Sequence, residues 1–135
     1  RLIAYSAILT ILIGVLVTML FLRNDIEATI LRLPGQTFQS TATTIKNIYT
    51  VKLINKTSDD VEDIDIKLIS HPGTVDLVGG KISIKKQGLK GGTLFIEINK
   101  KDLNSSKEKL EIGIYSKGIL IETTTTNFSG PLIIK

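Results

Sequence analysis

No cysteine occurs in the 135 residues, and that single absence excludes a large block of chemistry. Disulfides, thiol redox steps, iron–sulfur ligation and a zinc ribbon all need thiolates that this chain does not have. Histidine is present once, as His71, and methionine once, as Met19. Copper and zinc sites gather several soft or imidazole ligands, so the composition predicts no metal site and no cofactor within this chain. Tryptophan is absent and the aromatic content is 5%. Charge of either sign is also modest: 17 basic and 13 acidic residues give a net charge of +4. The basic cluster Lys81, Lys85, Lys86 and Lys90 and the acidic cluster Asp59, Asp60, Glu62, Asp63 and Asp65 lack the aromatic interleaving of a nucleic-acid platform. No nucleic-acid partner is expected, and both clusters read as solvated strand faces and loops.

What the chain does have is a long uncharged opening. Leu2 to Leu22 carries no charge and is bracketed by Arg1 and Arg23. At about 1.5 Å per residue this run reaches roughly 32 Å, the thickness of a bilayer's hydrocarbon core. A signal peptide would show a shorter apolar stretch and a small-residue cleavage site. Here the run ends in Met19-Leu20-Phe21-Leu22-Arg23. Residues 1–23 are therefore expected to form a transmembrane helix with the membrane as first partner. Ser6, Thr10, Gly14 and Thr18 recur at four-residue spacing and share one helix face. Small residues allow close backbone approach in lipid, so this stripe predicts packing against other transmembrane helices of the same protein. The competing reading has each hydroxyl bonding its own helix's carbonyls. One arginine at each end leaves the orientation open. The chain begins with Arg1, which leads us to expect a longer protein upstream.

Residues 24–44 read as a linker and first strand, with Ile26, Ala28 and Ile30 alternating, and 45–135 as the remainder of one domain. A period of two then recurs: Tyr49, Val51, Leu53; Ile64, Ile66, Leu68; Ile82, Ile84; Leu94, Ile96, Ile98; Leu110, Ile112, Ile114. Lys117-Gly118 suits a tight hairpin into Ile119–Thr125, where Ile119, Ile121 and Thr123 are expected on one face, and a last strand is expected at Leu132–Ile134. His71-Pro72-Gly73 and Gly79-Gly80 read as turns. About seven short strands with no helical pattern between them predict an all-β, immunoglobulin-like antiparallel β-sandwich behind one transmembrane helix. A closed barrel is the alternative.

No catalytic constellation stands out. A Ser/His/Asp triad would have to use His71, which sits in a turn motif without a Gly-x-Ser-x-Gly elbow. Gly88 to Gly92 lacks the strand-loop-helix setting of a phosphate loop and reads as a hairpin connection. Asp63 and Asp65 share an outward strand face. Asn55-Lys56-Thr57, Asn104-Ser105-Ser106 and Asn127-Phe128-Ser129 match the glycosylation pattern and read as loop residues.

The order of features resembles a known family. The apolar helix opening with Arg1-Leu2-Ile3-Ala4-Tyr5 is followed by Ile26–Arg32, by Asn47-Ile48-Tyr49-Thr50-Val51-Lys52-Leu53-Ile54-Asn55-Lys56-Thr57, and by Asp76-Leu77-Val78-Gly79. This is similar to the carboxy-terminal part of FixG/CcoG-type cytochrome c oxidase accessory proteins, with Asn47, Tyr49, Lys52, Asn55 and Lys56 as the most specific, structural motif. The resemblance implies that the chain is a last transmembrane helix plus an extracytoplasmic immunoglobulin-like domain, at the inner (cytoplasmic) membrane of a bacterium with the β domain in the periplasm. It implies four-iron four-sulfur clusters in the part upstream, none of whose cysteines map here. It also implies a role in copper-linked maturation of a cbb-type oxidase, with oxidase subunits or copper-assembly factors as partners. The resulting expectation is a docking domain of an iron–sulfur redox protein. The alternative is a single-pass envelope structural or adhesive protein that pairs through an edge such as Thr123–Thr126.

Overall fold

The computed structural model describes residues 1–132, and the short strand expected at Leu132–Ile134 falls mostly outside the described residues. Helix α1 (Leu2–Phe21) is 20 residues long with none of them buried. Among the described residues it is the one helix long and apolar enough to cross a membrane. A helix apolar all round with no protein over it has no reason to stay in water. It ends where Leu22 donates its N–H to Thr18 O at 3.0 Å, and four residues later the first strand begins.

Two antiparallel sheets follow. One carries β1 (Ile26–Arg32), β3 (Thr44–Asn55), β7 (Leu89–Asn99) and β5 (Thr74–Leu77) in the order β1-β3-β7-β5, with β2 (Gln39–Ser40) pairing to β3 beyond the end of β1. The other runs β6 (Ile82–Ile84), β4 (Val61–Leu68), β8 (Lys107–Ser116) and β9 (Ile119–Ser129). The sheets face each other as an immunoglobulin-like sandwich. Alternation decides the inner faces: Ile45, Tyr49, Val51, Leu53, Leu94, Ile96 and Ile98 from one sheet meet Ile64, Ile66, Leu110, Ile112, Ile114 and Phe128 from the other. Each such aliphatic side chain removed from water contributes about 1.5–3 kcal/mol. Together they form a continuous core without a tryptophan or a disulfide.

The structure corrects three expectations. The glycine-bearing stretch Gly88–Gly92 is not a hairpin connection, because Leu89 to Gly92 forms the first part of β7 and pairs with Val51 to Ile54 of β3. Ladder bonds need only N–H and C=O groups, so glycine hides the two-residue period without preventing the strand. Next, Ile119, Ile121 and Thr123 do not share one face. The register shifts so that Tyr115 opposes Leu120 while Ile114 opposes Glu122, leaving Ile121 as the extra residue of a bulge. Past it, Thr126 and Phe128 are buried, and Ile119 is 69% exposed. Third, Asn127-Phe128-Ser129 is part of β9, not a loop. β5 had no counterpart in the periodicity, since its four residues Thr74–Leu77 are too few to show one.

Core and surface aliphatics at the two ends of β7 separate these effects. We predict that Ile96→Ala, at a fully buried site, destabilises the detergent-solubilised chain by about 2–5 kcal/mol in chemical denaturation, whereas Leu89→Ala, 58% exposed, changes it by less than about 0.5 kcal/mol.

Candidate functional site

The motif on β3 divides by the parity of its positions. Asn47, Tyr49 and Asn55 point inward and are buried, whereas Lys52 is exposed and Lys56 lies just past the strand's end. Asn47 Nδ2 donates to Ser129 O at 2.8 Å, and the Tyr49 hydroxyl donates to Asn127 O at 2.9 Å. Both bonds cross the sandwich from β3 to the end of β9. Burial pushes the Tyr49 phenol far above its usual value, with the Arg32 guanidinium acting weakly the other way. Asn55 closes the opposite end. Its Nδ2 donates to Asp59 O at 2.8 Å and Lys85 O at 3.2 Å, and its Oδ1 accepts from the N–H and hydroxyl of Thr57 at 2.9 and 2.7 Å. Lys56 pairs with Glu27 at 2.7 Å across the surface and, by hydrogen bond and charge, holds that carboxyl below its usual range.

Beside the first of these ties, a groove of about 510 Å³ opens between β1, β8 and β9, lined by Arg32, Lys107, Glu108, Lys109, Asn127 and Ser129. Arg32 Nη1 donates to Ser129 Oγ at 2.7 Å and Nη2 to Gln36 O at 3.0 Å. Arg32 Nε, Asn47 Oδ1 and Glu108 Oε2 are buried without a hydrogen-bond partner among the described residues. Three cations and one carboxylate, Glu108, line the groove, which leaves it net positive.

Glu108 extends into a second polar cluster. Its Oε1 accepts the N–H groups of Asn104 and, at 2.9 Å, of Ser105. Its Oε2 lies 2.9 Å from His71 Nε2, and His71 Nδ1 lies 2.8 Å from Ser70 Oγ. The imidazole thus sits between the Glu108 carboxylate and the Ser70 hydroxyl. The order Ser–His–Glu looks like a hydrolytic relay, but the remaining bonds make it a clamp. Ser70 Oγ already accepts the Glu111 N–H at 3.0 Å, and the Ser70 N–H, which would have to hold an oxyanion, points to Glu111 O. The trio ties the β4–β5 turn to β8.

In α1 the hydroxyls of Ser6, Thr10 and Thr18 donate to Leu2 O, Ser6 O and Gly14 O at 2.8–2.9 Å, each four residues back. The stripe with Gly14 remains on one exposed face. No group of three or more histidine, cysteine, aspartate or glutamate side chains able to hold a metal occurs among the described residues. Sequence reasoning missed Arg32 and the His71–Glu108 pair. Asn47 and Asn55 at inward parity were visible as a signal, since a buried asparagine needs partners.

The Tyr49 tie carries a pH dependence. Between about pH 10 and the raised value of the folded phenol, the unfolded state releases a proton that the folded state keeps, so stability falls by up to about 1.4 kcal/mol per pH unit. Denaturation at about pH 9 and 11 is expected to show a steeper loss for the wild type than for Tyr49→Phe. Equal slopes would contradict the assignment.

The chain matches, over residues 16–131, the family described as the immunoglobulin-like fold at the C-terminus of FixG, itself classed as a candidate oxidoreductase. Among solved structures it is similar to a FixG-related protein from Vibrio parahaemolyticus, with a TM-score of 0.61 and 21% identity, covering 82% of this chain and 100% of that one. The N-terminal domain of PorA (TM-score 0.45, 13% identity, 76% of this chain and 96% of that one) and the yeast GGA1 GAE domain (0.41, 13%, 81% and 94%) align more loosely. No curated protein sequence matches. With the match spanning nearly the whole sandwich and the end of the helix, the chain belongs to the FixG carboxy-terminal immunoglobulin-like family.

Proposed function

We propose that this chain is the membrane-anchored, extracytoplasmic docking end of an iron–sulfur accessory protein that serves copper-linked maturation of a cbb-type cytochrome c oxidase. α1 spans the bacterial cytoplasmic membrane, its Ser6–Thr10–Gly14–Thr18 face packs against other helices of the full-length protein, and the sandwich stands in the periplasm. The redox step belongs to cysteine-ligated clusters elsewhere in that protein, because this chain has no cysteine to ligate iron.

The observation that carries this reading is the pairing of a FixG-family sandwich with a fully exposed apolar helix, four residues apart. Such a construction holds a binding surface at a fixed height above a membrane. The groove of Arg32, Lys107 and Lys109 is the surface we assign to docking. Its three cations, against the single carboxylate of Glu108, fit an acidic loop of an oxidase subunit or copper-assembly factor.

Replacing the native protein in cells by one lacking residues 24–135 is expected to reduce assembled oxidase and abolish co-purification of the partner. Lys107→Glu with Lys109→Glu is expected to weaken co-purification about tenfold while leaving the fold intact, since charge reversal at a rim affects mainly association. Unchanged oxidase and unchanged co-purification in both would sink the docking role.

A further inference from the structure

The end of the domain nearest α1 carries exposed hydrocarbon that neither the family membership nor the docking groove uses. β8 and β9 are joined by Lys117-Gly118, both in the left-handed region at φ 49° and 81°, which makes the two-residue turn that suits a twisted hairpin. Immediately beyond the turn, Ile119 is 69% and Leu120 47% exposed. The base of this hairpin, Ser116 and Ile121, lines one cavity of about 350 Å³ with Arg23, Asn24, Asp25 and Ile26. Arg23 is the first charge after the apolar run, so it sits where hydrocarbon gives way to headgroups. Residues 22–25 reach at most about 14 Å. The Lys56 N–H bonded to Asp25 O at 2.9 Å further holds this end of the sandwich to the helix exit. With α1 across a bilayer, these connections bring the tip within reach of the membrane surface, with exposed Ile119 beyond the turn and Lys117 beside it.

We propose that the hairpin tip Lys117–Leu120 is a second membrane contact, with Ile119 seated in the headgroup–acyl boundary of the leaflet from which α1 emerges and Lys117 among the phosphates. This rests on α1 crossing the bilayer. Lys117 is suited to the role because its ion pair among the described residues, to Glu62 at 3.7 Å, is exposed on both sides and readily exchanged for a lipid phosphate. Interfacial anchoring in general combines apolar side chains at the headgroup–acyl boundary with cations among the headgroups. Two points of attachment, helix and tip, would stop the sandwich from swinging about the four-residue connection and would fix which face it presents.

The chain has no tryptophan, so a single one reports without background. The full chain carrying Ile119→Trp would be reconstituted in phosphatidylcholine–phosphatidylglycerol vesicles containing acyl-brominated lipid, beside Asn104→Trp in the exposed loop that precedes β8. Flotation establishes insertion of α1 for each. In floating samples the Ile119→Trp emission is expected to be blue-shifted and quenched at least about twofold by the brominated lipid, while that of Asn104→Trp stays water-like and unquenched. Floating chains whose Ile119→Trp emission is water-like would overturn the tip contact and leave the anchor standing. A blue shift without quenching would also overturn it, by showing that protein, not lipid, covers the tip. Chains that do not float would overturn the anchor and the tip together.

Discussion

Three polar side chains on the inward face of β3 fix how the two sheets meet. An all-aliphatic core tolerates many packings of similar volume, so Ile and Leu alone would specify the sandwich loosely. Asn47 and Tyr49 bond the carbonyls of Ser129 and Asn127 on β9, and Asn55 bonds those of Asp59 and Lys85 at the other end. A buried donor or acceptor left unmet costs about 1–3 kcal/mol, so a slipped register would lose several such contacts at once. β3 can hold this position because it is paired along its length, with β1 and β2 on one side and β7 on the other.

The two surface features follow from that seam. The cationic groove lies where β1 meets the end of β9, so the bonds of Asn47 and Tyr49 shape its floor. The helix exit is held at the opposite end, because β1 begins at Ile26 directly opposite Asn55. Two ion pairs lie around this end, Lys56 with Glu27 and Lys85 with Asp60, whose carboxyl is held low by the Lys86 N–H and the Lys85 ammonium. These exposed pairs contribute little to stability, and they leave the apolar tip as the feature of this end that water does not favour.

Much of the fold was legible in the sequence because alternation and burial are the same fact seen twice: Ile64 and Ile66, or Leu110, Ile112 and Ile114, had to face one way. The reading failed where a backbone feature breaks that link. The bulge at Ile121 reverses which residues of β9 face inward, and no side-chain pattern announces it. Glycines in β7 carry no polarity to alternate, so only the length of β3 reveals that a partner is needed there. The motif Asn47, Tyr49, Lys52, Asn55 and Lys56 was recognisable, but its division into buried ties and exposed lysines needed the other strands in place. The Arg32–Ser129 and His71–Glu108 contacts were invisible for a related reason, since these partners are 97 and 37 residues apart along the chain.

Amide hydrogen exchange on the full chain in detergent tests the central role of the seam most directly. If the Asn47 and Tyr49 bonds lock the end of β9 to β3, the bonded amides of Thr124–Phe128 exchange in the same slow class as those of Tyr49–Leu53, through opening of the whole sandwich. Exchange of the β9 end several orders of magnitude faster, as for a fraying edge strand, would contradict the account.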